Sequence, residues 1–131
     1  MSVPAKVEVT PYGYRLTVTS PMPAEDIRSW IDEVQLIARS RHGFGQLVIV
    51  ADDGLPPPEA QQAIGTLLAL LREWGLIRSA VIFHDPRVGL RFKQLAWASG
   101  VHEFERYISG EREDWELAAM AWIVDGREPD G

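Results

Sequence analysis

Acidic and histidine side chains follow two unbroken apolar segments of the chain, and folding could bring them to one place. The first segment is followed by Asp52 and Asp53, and the second by His84 and Asp85. Continuously apolar segments are typical of parallel strands that are covered on both faces of a sheet. The carboxyl ends of such strands are where α/β proteins usually bind ligands. These four residues, the strand-end edge, are therefore the first candidate site.

Metal binding is the first chemistry that carboxylates at one edge suggest. Mg²⁺ takes oxygen ligands, and phosphoryl-accepting receiver domains combine such acids with a lysine on a later strand. The only lysines here are Lys6 and Lys93, and neither follows a later strand of the predicted sheet. Turn formation by Asp52 and Asp53 and helix capping by Asp85 account for the same acids. We predict no metal site and no cofactor.

General acid–base catalysis by His84, with Asp85 as its orienting partner, is the second chemistry to consider. Adjacent residues of a strand point to opposite faces, which keeps these two side chains apart. The sequence has no Gly-x-Ser-x-Gly nucleophile motif. The absence of cysteine excludes thiol nucleophiles, disulfides and thiolate zinc sites. We predict no catalytic residues and a protein that is not an enzyme.

The acidic composition and the short apolar segments exclude further classes of function. The 131 residues fit one domain with an ordinary core. A formal net charge of −6 argues against nucleic-acid binding, which rests on neutralising phosphates. No apolar run approaches the length of a membrane span, and the first residues do not form a signal peptide. We expect a soluble, cytoplasmic protein.

Hydrophobic periodicity places these residues in an α/β fold. Period-two alternation predicts two strands joined by a Pro-Tyr-Gly turn, hence an antiparallel hairpin. Right-handed helical crossovers then make the later strands parallel. The result is an α/β two-layer sandwich of order β-β-α-β-α-β-α-β-α, whose mixed sheet is covered by helices mainly on one side. The predicted strands are 6–10, 14–19, 46–51, 80–83 and 104–108, and the predicted helices are 23–40, 59–74, 86–99 and 111–124.

Two further predictions follow from this pattern. The strands at 46–51 and 80–83 should be adjacent, parallel and buried, because both are continuously apolar and a helix joins them. A single domain should span 1–124, because no linker interrupts it. The last residues, 125–131, have nothing to bury and are expected to be a frayed tail.

Segments of the carboxyl-terminal half carry a family resemblance. Residues 78–85 form an apolar strand that ends in His-Asp, and residues 89–92 read Gly-Leu-Arg-Phe. Residues 106–108 and 115–123 form a strand and an alanine-rich helix with two tryptophans. Together they resemble the SpoIIAA-like family, a bacterial group that belongs with the STAS domains of anti-sigma factor antagonists. The resemblance covers about residues 6–124 and implies that fold, with regulation through protein contacts.

One motif of the phospho-regulated STAS antagonists is missing. These proteins carry a serine at the start of the second helix, and its phosphorylation adds a charge that breaks the partner complex. The matching segment, 56–61, reads Pro-Pro-Pro-Glu-Ala-Gln and has no hydroxyl, and Thr66 lies further along the helix. We predict a STAS-like domain that lacks the phosphoacceptor serine and is not phosphorylated in this segment.

A second apolar stripe on the third helix predicts a partner-binding surface. Leu90 and Trp97 are seven residues apart and lie off the stripe that packs the helix onto the sheet. Arg91 and Lys93 lie beside them, and exposed aromatic and arginine side chains anchor protein interfaces. The alternative is that Trp97 packs over a neighbouring helix or loop. These four residues, the Trp97 patch, are the partner-binding candidates.

The function that these observations favour is a non-enzymatic interaction or regulatory domain. Its partner would be another protein or a second copy in a homodimer. The alternative is a small-molecule or lipid-binding module, because related folds hold apolar ligands between sheet and helices. The chain has many aromatic and aliphatic side chains to line such a site. A third hypothesis is an enzyme that uses the strand-end edge.

Overall fold

The residues that the structure describes form five strands and four helices, so the predicted α/β class is confirmed. The computed structural model describes residues 5–18, 24–50 and 58–129. A short 3-10 helix, Val101–Glu103, precedes the last strand. The other elements are β1 (Ala5–Thr10), β2 (Gly13–Val18), α1 (Ala24–Arg39), β3 (Phe44–Val50), α2 (Pro58–Glu73), β4 (Leu76–Phe83), α3 (Pro86–Ser99), β5 (Glu105–Ser109) and α4 (Trp115–Asp125).

The five strands form one mixed sheet in which neighbours in the sequence are neighbours in space. β1 and β2 are antiparallel, and β2 to β5 are parallel. The predicted pairing of the two apolar strands is confirmed, because β3 and β4 are adjacent and parallel, with Leu47 opposite Ala80. The hairpin turn requires glycine at Gly13, where a β-carbon would lie 2.0 Å from the carbonyl oxygen of Gly45 on β3.

Two elements begin four residues away from the predicted position, and the other boundaries differ by two residues at most. β4 begins at Leu76 rather than at residue 80, because Leu76 pairs with Phe44 across an irregularity in the ladder. α4 begins at Trp115 rather than at residue 111, because the chain first makes a turn. In that turn the backbone N–H of Arg112 donates to the carbonyl of Ser109 at 3.2 Å. Pairing with a neighbouring strand sets the first boundary and a local turn sets the second, and hydrophobic periodicity indicates neither.

Side chains alternate between the two faces of the sheet, and the helices divide unequally between these faces. α1, α2 and α3 pack on the face that carries Leu16, Val48 and Val81, which we call the three-helix face. α4 packs on the opposite face, the α4 face, against Leu47 and Ile82. The sheet therefore has two apolar surfaces, each covered by different helices.

Polar contacts attach the carboxyl end of α4 to the sheet. Arg78 of β4 donates through Nε to the carbonyl of Ile123 and through Nη2 to the carbonyl of Val124, both at 3.0 Å. The last carbonyls of a helix have no partner within the helix, so a basic side chain there is stabilising. The indole Nε1 of Trp122 also donates to the carbonyl of Ser79 at 2.9 Å. These bonds fix α4 against β4.

The segment after α4, expected to be frayed over 125–131, makes side-chain contacts where the structure describes it. Glu128 Oε1 lies 2.8 Å from Nε of Arg106 on β5. Arg112 donates to the carbonyl of Pro129 at 2.7 Å, and Pro129 is buried. Residues 126–129 therefore fold back onto the end of the sheet, while residues 130 and 131 lie outside the described residues.

Candidate functional site

The part of the strand-end edge that follows β4 contains a helix cap. Asp85 Oδ1 accepts the backbone N–H of Arg87 at 2.9 Å, and its Oδ2 accepts a guanidinium N–H of Arg87 at 2.8 Å. The side-chain bond, followed by the backbone bond, lowers the pKa of the Asp85 carboxyl. Asp85 is thus the N-cap of α3, as its sequence position indicated. Asp52 and Asp53 lie outside the described residues.

His84 contacts Glu111 and Gly110 rather than Asp85. Its Nδ1 lies 3.9 Å from Glu111 Oε1, and a β-carbon on Gly110 would lie 2.3 Å from the imidazole ring. Within the described ranges, no hydrogen bond or ion pair joins His84 to Asp85. The same ranges hold no group of three potential metal-ligating side chains. The catalytic pair considered for this edge is therefore not formed.

The Trp97 patch lies on the exposed side of α3. Trp97 is 71 % exposed and Leu90 is 58 % exposed, and the side chains of Arg91 and Lys93 are also exposed. The Trp97 ring stacks on His102, with 3.8 Å between ring centroids. The ring therefore packs over the neighbouring 3-10 helix, as the alternative from the sequence proposes, while most of its surface stays exposed.

A cavity opens between the three-helix face of the sheet and the helices that cover it. Its volume is about 460 Å³, and small-molecule sites usually enclose roughly 300–1,000 Å³. The floor comes from β2 to β5, and the walls come from α2, α3 and one residue of α1. The lining is mostly aliphatic and aromatic, and it includes Val48, Val50, Leu68, Val81, Phe92 and Ala96.

Four neighbouring strands each contribute one polar residue to a row across this floor. Tyr14 of β2 is opposite Gln46 of β3, Gln46 is opposite Ser79 of β4, and Ser79 is opposite Glu105 of β5. All four are buried. Tyr107 lies two residues after Glu105 and therefore on the same face. We call these five residues the polar row, and three of them (Gln46, Glu105 and Tyr107) line the cavity.

Hydrogen bonds run along the polar row from both ends toward Glu105. The Tyr14 hydroxyl donates to Gln46 Oε1, and Gln46 Nε2 donates to Ser79 Oγ at 2.7 Å. Ser79 is opposite Glu105 in the ladder and lowers the pKa of its carboxyl, and the Tyr107 hydroxyl donates to Glu105 Oε1 at 2.5 Å. An ionised carboxylate only accepts hydrogen bonds. Glu105 is therefore the acceptor on which the whole row converges.

Burial changes the proton affinity of the ionisable groups in the polar row. Desolvation raises the pKa of the Glu105 carboxyl, and the hydrogen bonds from Tyr107 and Ser79 oppose part of this rise. Desolvation likewise raises the pKa of Tyr107, to which the nearby Glu105 adds, and raises that of Tyr14 well above its usual value. Both tyrosines stay protonated donors. Burial thus disfavours the ionised form of all three groups, and Glu105 is the one whose ordinary pKa lies below neutral pH.

Trp30 of α1 adds a hydrogen-bond donor to the cavity wall. Its side chain is 5 % exposed, and it lines the cavity. Its Nε1 lies near enough to Tyr14 to lower the pKa of that hydroxyl, but it meets no acceptor at hydrogen-bonding geometry within the described residues. The cavity thus combines apolar walls with a small number of polar groups, as sites for amphiphilic small molecules do.

Sequence analysis missed the polar row, although single positions signalled it. Gln46 and Ser79 interrupt strands that are otherwise apolar on both faces, and a buried polar side chain needs a partner. Glu105 and Tyr107 share one face of β5 by period-two spacing. A sequence signal for the polar row exists, because each of the strands β2 to β5 carries a polar residue that belongs to it. Their alignment depends on the register of four strands, which no single segment specifies.

Comparisons of the chain with protein-family models, with curated proteins and with solved structures found no match. No helix in the described ranges combines the length with the hydrophobicity that crossing a membrane requires. The proposals below therefore rest on the geometry of the cavity, the polar row and the Trp97 patch.

Proposed function

We propose that this protein is a binding domain for an apolar small molecule, which occupies the cavity without undergoing a reaction there. The observation that carries the proposal is the cavity of about 460 Å³, which has apolar walls and a polar row across its floor. This is the alternative function from the sequence analysis. The geometry favours it because the cavity has the size and lining of a ligand site, whereas His84 and Asp85, the described part of the strand-end edge, form no catalytic pair.

The lining of the cavity supports an apolar occupant. Its floor and walls are mostly aliphatic and aromatic side chains, among them Val48, Leu68 and Phe92. Burial of apolar ligand surface against them contributes roughly 25 cal/mol per Å². An apolar ligand would also shield the polar row from water.

We further propose a STAS-like fold related to the SpoIIAA-like family, without its phosphorylation switch. The hairpin followed by three helical crossovers supports this relationship. Thr66, the nearest hydroxyl after the proline segment, lies within α2 and donates to the carbonyl of Gln62 at 3.2 Å. Residues 56 and 57 lie outside the described residues, and the sequence of 58–61 contains no serine, threonine or tyrosine that could be phosphorylated.

A protein contact through the Trp97 patch is the second proposed function. Its supporting observation is the exposure of Trp97 and Leu90 beside two exposed basic side chains. Large exposed aromatic residues with basic neighbours are typical of interface anchors. Leu90 and Trp97 do not line the cavity, whereas Arg91 does, so a contact centred on Trp97 is compatible with a ligand in the cavity.

The cavity function is tested by filling the cavity from its floor. Val48 is buried at the centre of the floor, so Val48→Trp places an indole in the ligand space. The matched control is Val124→Trp on α4, where the valine is 51 % exposed and lies on the other side of the sheet. Isothermal titration calorimetry with 1-decanol, a neutral apolar probe, compares both variants with the wild type.

We expect saturable binding to the wild type and the control, and at least about tenfold weaker binding to Val48→Trp. A larger side chain in a packed site costs about 1–3 kcal/mol of stability. If Val48→Trp does not fold for this reason, Ala96→Phe, which fills the cavity from α3, replaces it in the same titration. Equal decanol affinity for folded filled and control variants, or no binding by any of them, would contradict the cavity function.

A further inference from the structure

We infer that the ligand of this cavity carries a protonated amine, which pairs with the carboxylate of Glu105. This inference rests on the proposed binding function and specifies the chemical class of the ligand. The ligand would be an apolar amine, with its hydrocarbon part between α2 and α3 and its nitrogen at the β5 side of the floor.

The position of Glu105 is the first reason for this assignment. Glu105 is 6 % exposed, and it lines the cavity near one edge of the polar row. An ionisable group so far from water is rarely found without a charged partner. The carboxylate therefore contacts both the ligand space and the hydrogen bonds of the sheet.

The side-chain partners of Glu105 are the second reason, because those within the described residues are neutral. Tyr107 donates to its carboxylate, and Ser79 lies beside it on β4. Within the described residues, no lysine, arginine or histidine nitrogen lies within 4.0 Å of its carboxylate oxygens. Arg106, its neighbour in sequence, donates through Nη1 to the backbone carbonyl of Glu105 at 3.0 Å and pairs with Glu128 on the other face. The described residues therefore supply no cation that pairs with the carboxylate of Glu105.

The direction of the polar row is the third reason. Hydrogen bonds run from Tyr14 to Gln46 and from Gln46 to Ser79, and Ser79 lowers the pKa of the neighbouring Glu105 carboxyl. Tyr107 donates to Glu105 from the other side, so the dipoles around this carboxylate favour negative charge there. The row thus supports an anion in a place where burial disfavours it. A cationic nitrogen supplies the missing charge and makes a charge-assisted hydrogen bond, about twice as strong as a neutral one.

A ligand anion is the main competing assignment, because Arg91 also lines the cavity. Arg91 is exposed, so its charge is solvated and does not depend on a ligand for a partner. A carboxylate placed at the floor would instead meet Glu105, and two like charges in a buried site repel each other. A ligand whose charged group reaches the floor must therefore be a cation, and an anionic group could only lie near the exposed Arg91.

Three probes of equal chain length separate these cases: decylamine, 1-decanol and decanoate. Calorimetric titrations at about pH 7 and about 0.15 M salt, where exposed charges are screened, give a dissociation constant for each. Glu105→Gln removes the charge and keeps the shape. Glu113→Gln removes one exposed charge and is the matched control for attraction by the acidic surface.

We expect decylamine to bind the wild type and Glu113→Gln at least about tenfold more tightly than decanol, with decanoate the weakest. In Glu105→Gln the preference for the amine should disappear, while the decanol affinity stays within about twofold. If Glu105→Gln does not fold, Glu105→Met provides the same comparison with an apolar side chain of similar length.

Equal affinity for the three probes, or a preference for decanoate, would overturn the amine assignment and leave the cavity function standing. An amine preference that survives in Glu105→Gln would also overturn it, because the attraction would then come from elsewhere on the surface. Absence of binding by every probe would overturn both the assignment and the cavity function.

Discussion

The two faces of the central sheet carry the same strands but are built differently. On the α4 face one helix lies directly on β3, β4 and β5, and a β-carbon on Gly45 would lie 2.3 Å from Ile123 of that helix. On the three-helix face, α2 and α3 stand apart over the sheet and leave a cavity of about 460 Å³. One face is closed by packing, and the other keeps an open volume.

The difference between the faces follows from particular side chains. The α4 face is sealed by Trp122, which donates its indole N–H to Ser79 and has the Arg106 guanidinium 4.2 Å from its ring centroid. The walls of the cavity include small residues, Gly65 of α2 and Ala96 of α3. Trp122 fills the space under α4, whereas Gly65 and Ala96 leave space between their helices and the sheet. We infer that the α4 face maintains the fold and the three-helix face binds the ligand.

The largest expected effect of a mutation is on the α4 face. Trp122→Ala removes a side chain that is 5 % exposed together with its hydrogen bond and its contact with Arg106. We expect a loss of about 3–5 kcal/mol in the free energy of unfolding, measured by urea denaturation. A loss below about 1 kcal/mol would contradict the assignment of this face as the structural one.

Replacing one glycine with alanine on each face of the sheet should change the free energy of unfolding in opposite directions. Gly45→Ala drives a β-carbon into Ile123, and we expect a loss of about 1–3 kcal/mol from overpacking. Gly65→Ala adds a β-carbon that meets nothing within 4 Å, and alanine is the better helix former, so we expect a gain of about 0.5–1 kcal/mol. Urea denaturation measures both, and a loss in Gly65→Ala would show that the wall beside α2 is packed.

The pH dependence of stability tests the burial of Glu105. Its pKa is raised in the folded state, so as pH rises the unfolded chain releases this proton first, and stability falls until the folded carboxyl is also ionised. Glu105→Gln cannot lose a proton. We expect the stability of this variant relative to the wild type to increase between about pH 4 and pH 8, as measured by urea denaturation.

The control for this pH profile is Glu113→Gln, whose carboxylate is exposed in the wild type. Its stability should follow that of the wild type across the range, because other titrating groups are common to all three proteins. A constant difference between Glu105→Gln and the wild type at both ends of the range would indicate that the Glu105 pKa is not raised.

The smallest effect on stability is expected at the Trp97 patch. Trp97 is 71 % exposed, so Trp97→Ala should change the free energy of unfolding by no more than about 0.5 kcal/mol. If the patch is a seam between two copies, the same variant should weaken self-association in sedimentation velocity. A loss of about 3–5 kcal/mol with unchanged association would show that Trp97 is a core residue and would contradict the interface function.

The sheet was predictable from the sequence because its signals are local. The unbroken apolar segments around Val48 and Val81 predicted buried parallel neighbours, and the ladder pairs these two residues. Asp85 followed by Pro86 predicted the beginning of α3 in the same way. Each of these signals lies within a few consecutive residues.

The cavity could not be predicted, because it depends on elements that are distant in the sequence. Gln46 and Glu105 lie on strands that are not neighbours and are linked only through Ser79 between them. The open volume depends on the separation of α2 and α3, to which Gly65 and Ala96 contribute by their small size. Hydrophobic periodicity predicts which face of a strand or helix a side chain occupies. It does not predict the distance between the helices and the sheet, which sets the volume of the cavity.

The most direct test of ligand binding on the three-helix face uses methyl NMR spectroscopy of isoleucine, leucine and valine side chains during titration with decylamine. We expect the methyl signals of Val48, Val81 and Leu68, which line the cavity, to shift and saturate together. Those of Leu47, Ile82 and Ile123 on the α4 face should stay in place. Shifts confined to the α4 face or to exposed methyl groups, or no shifts at all, would contradict the account.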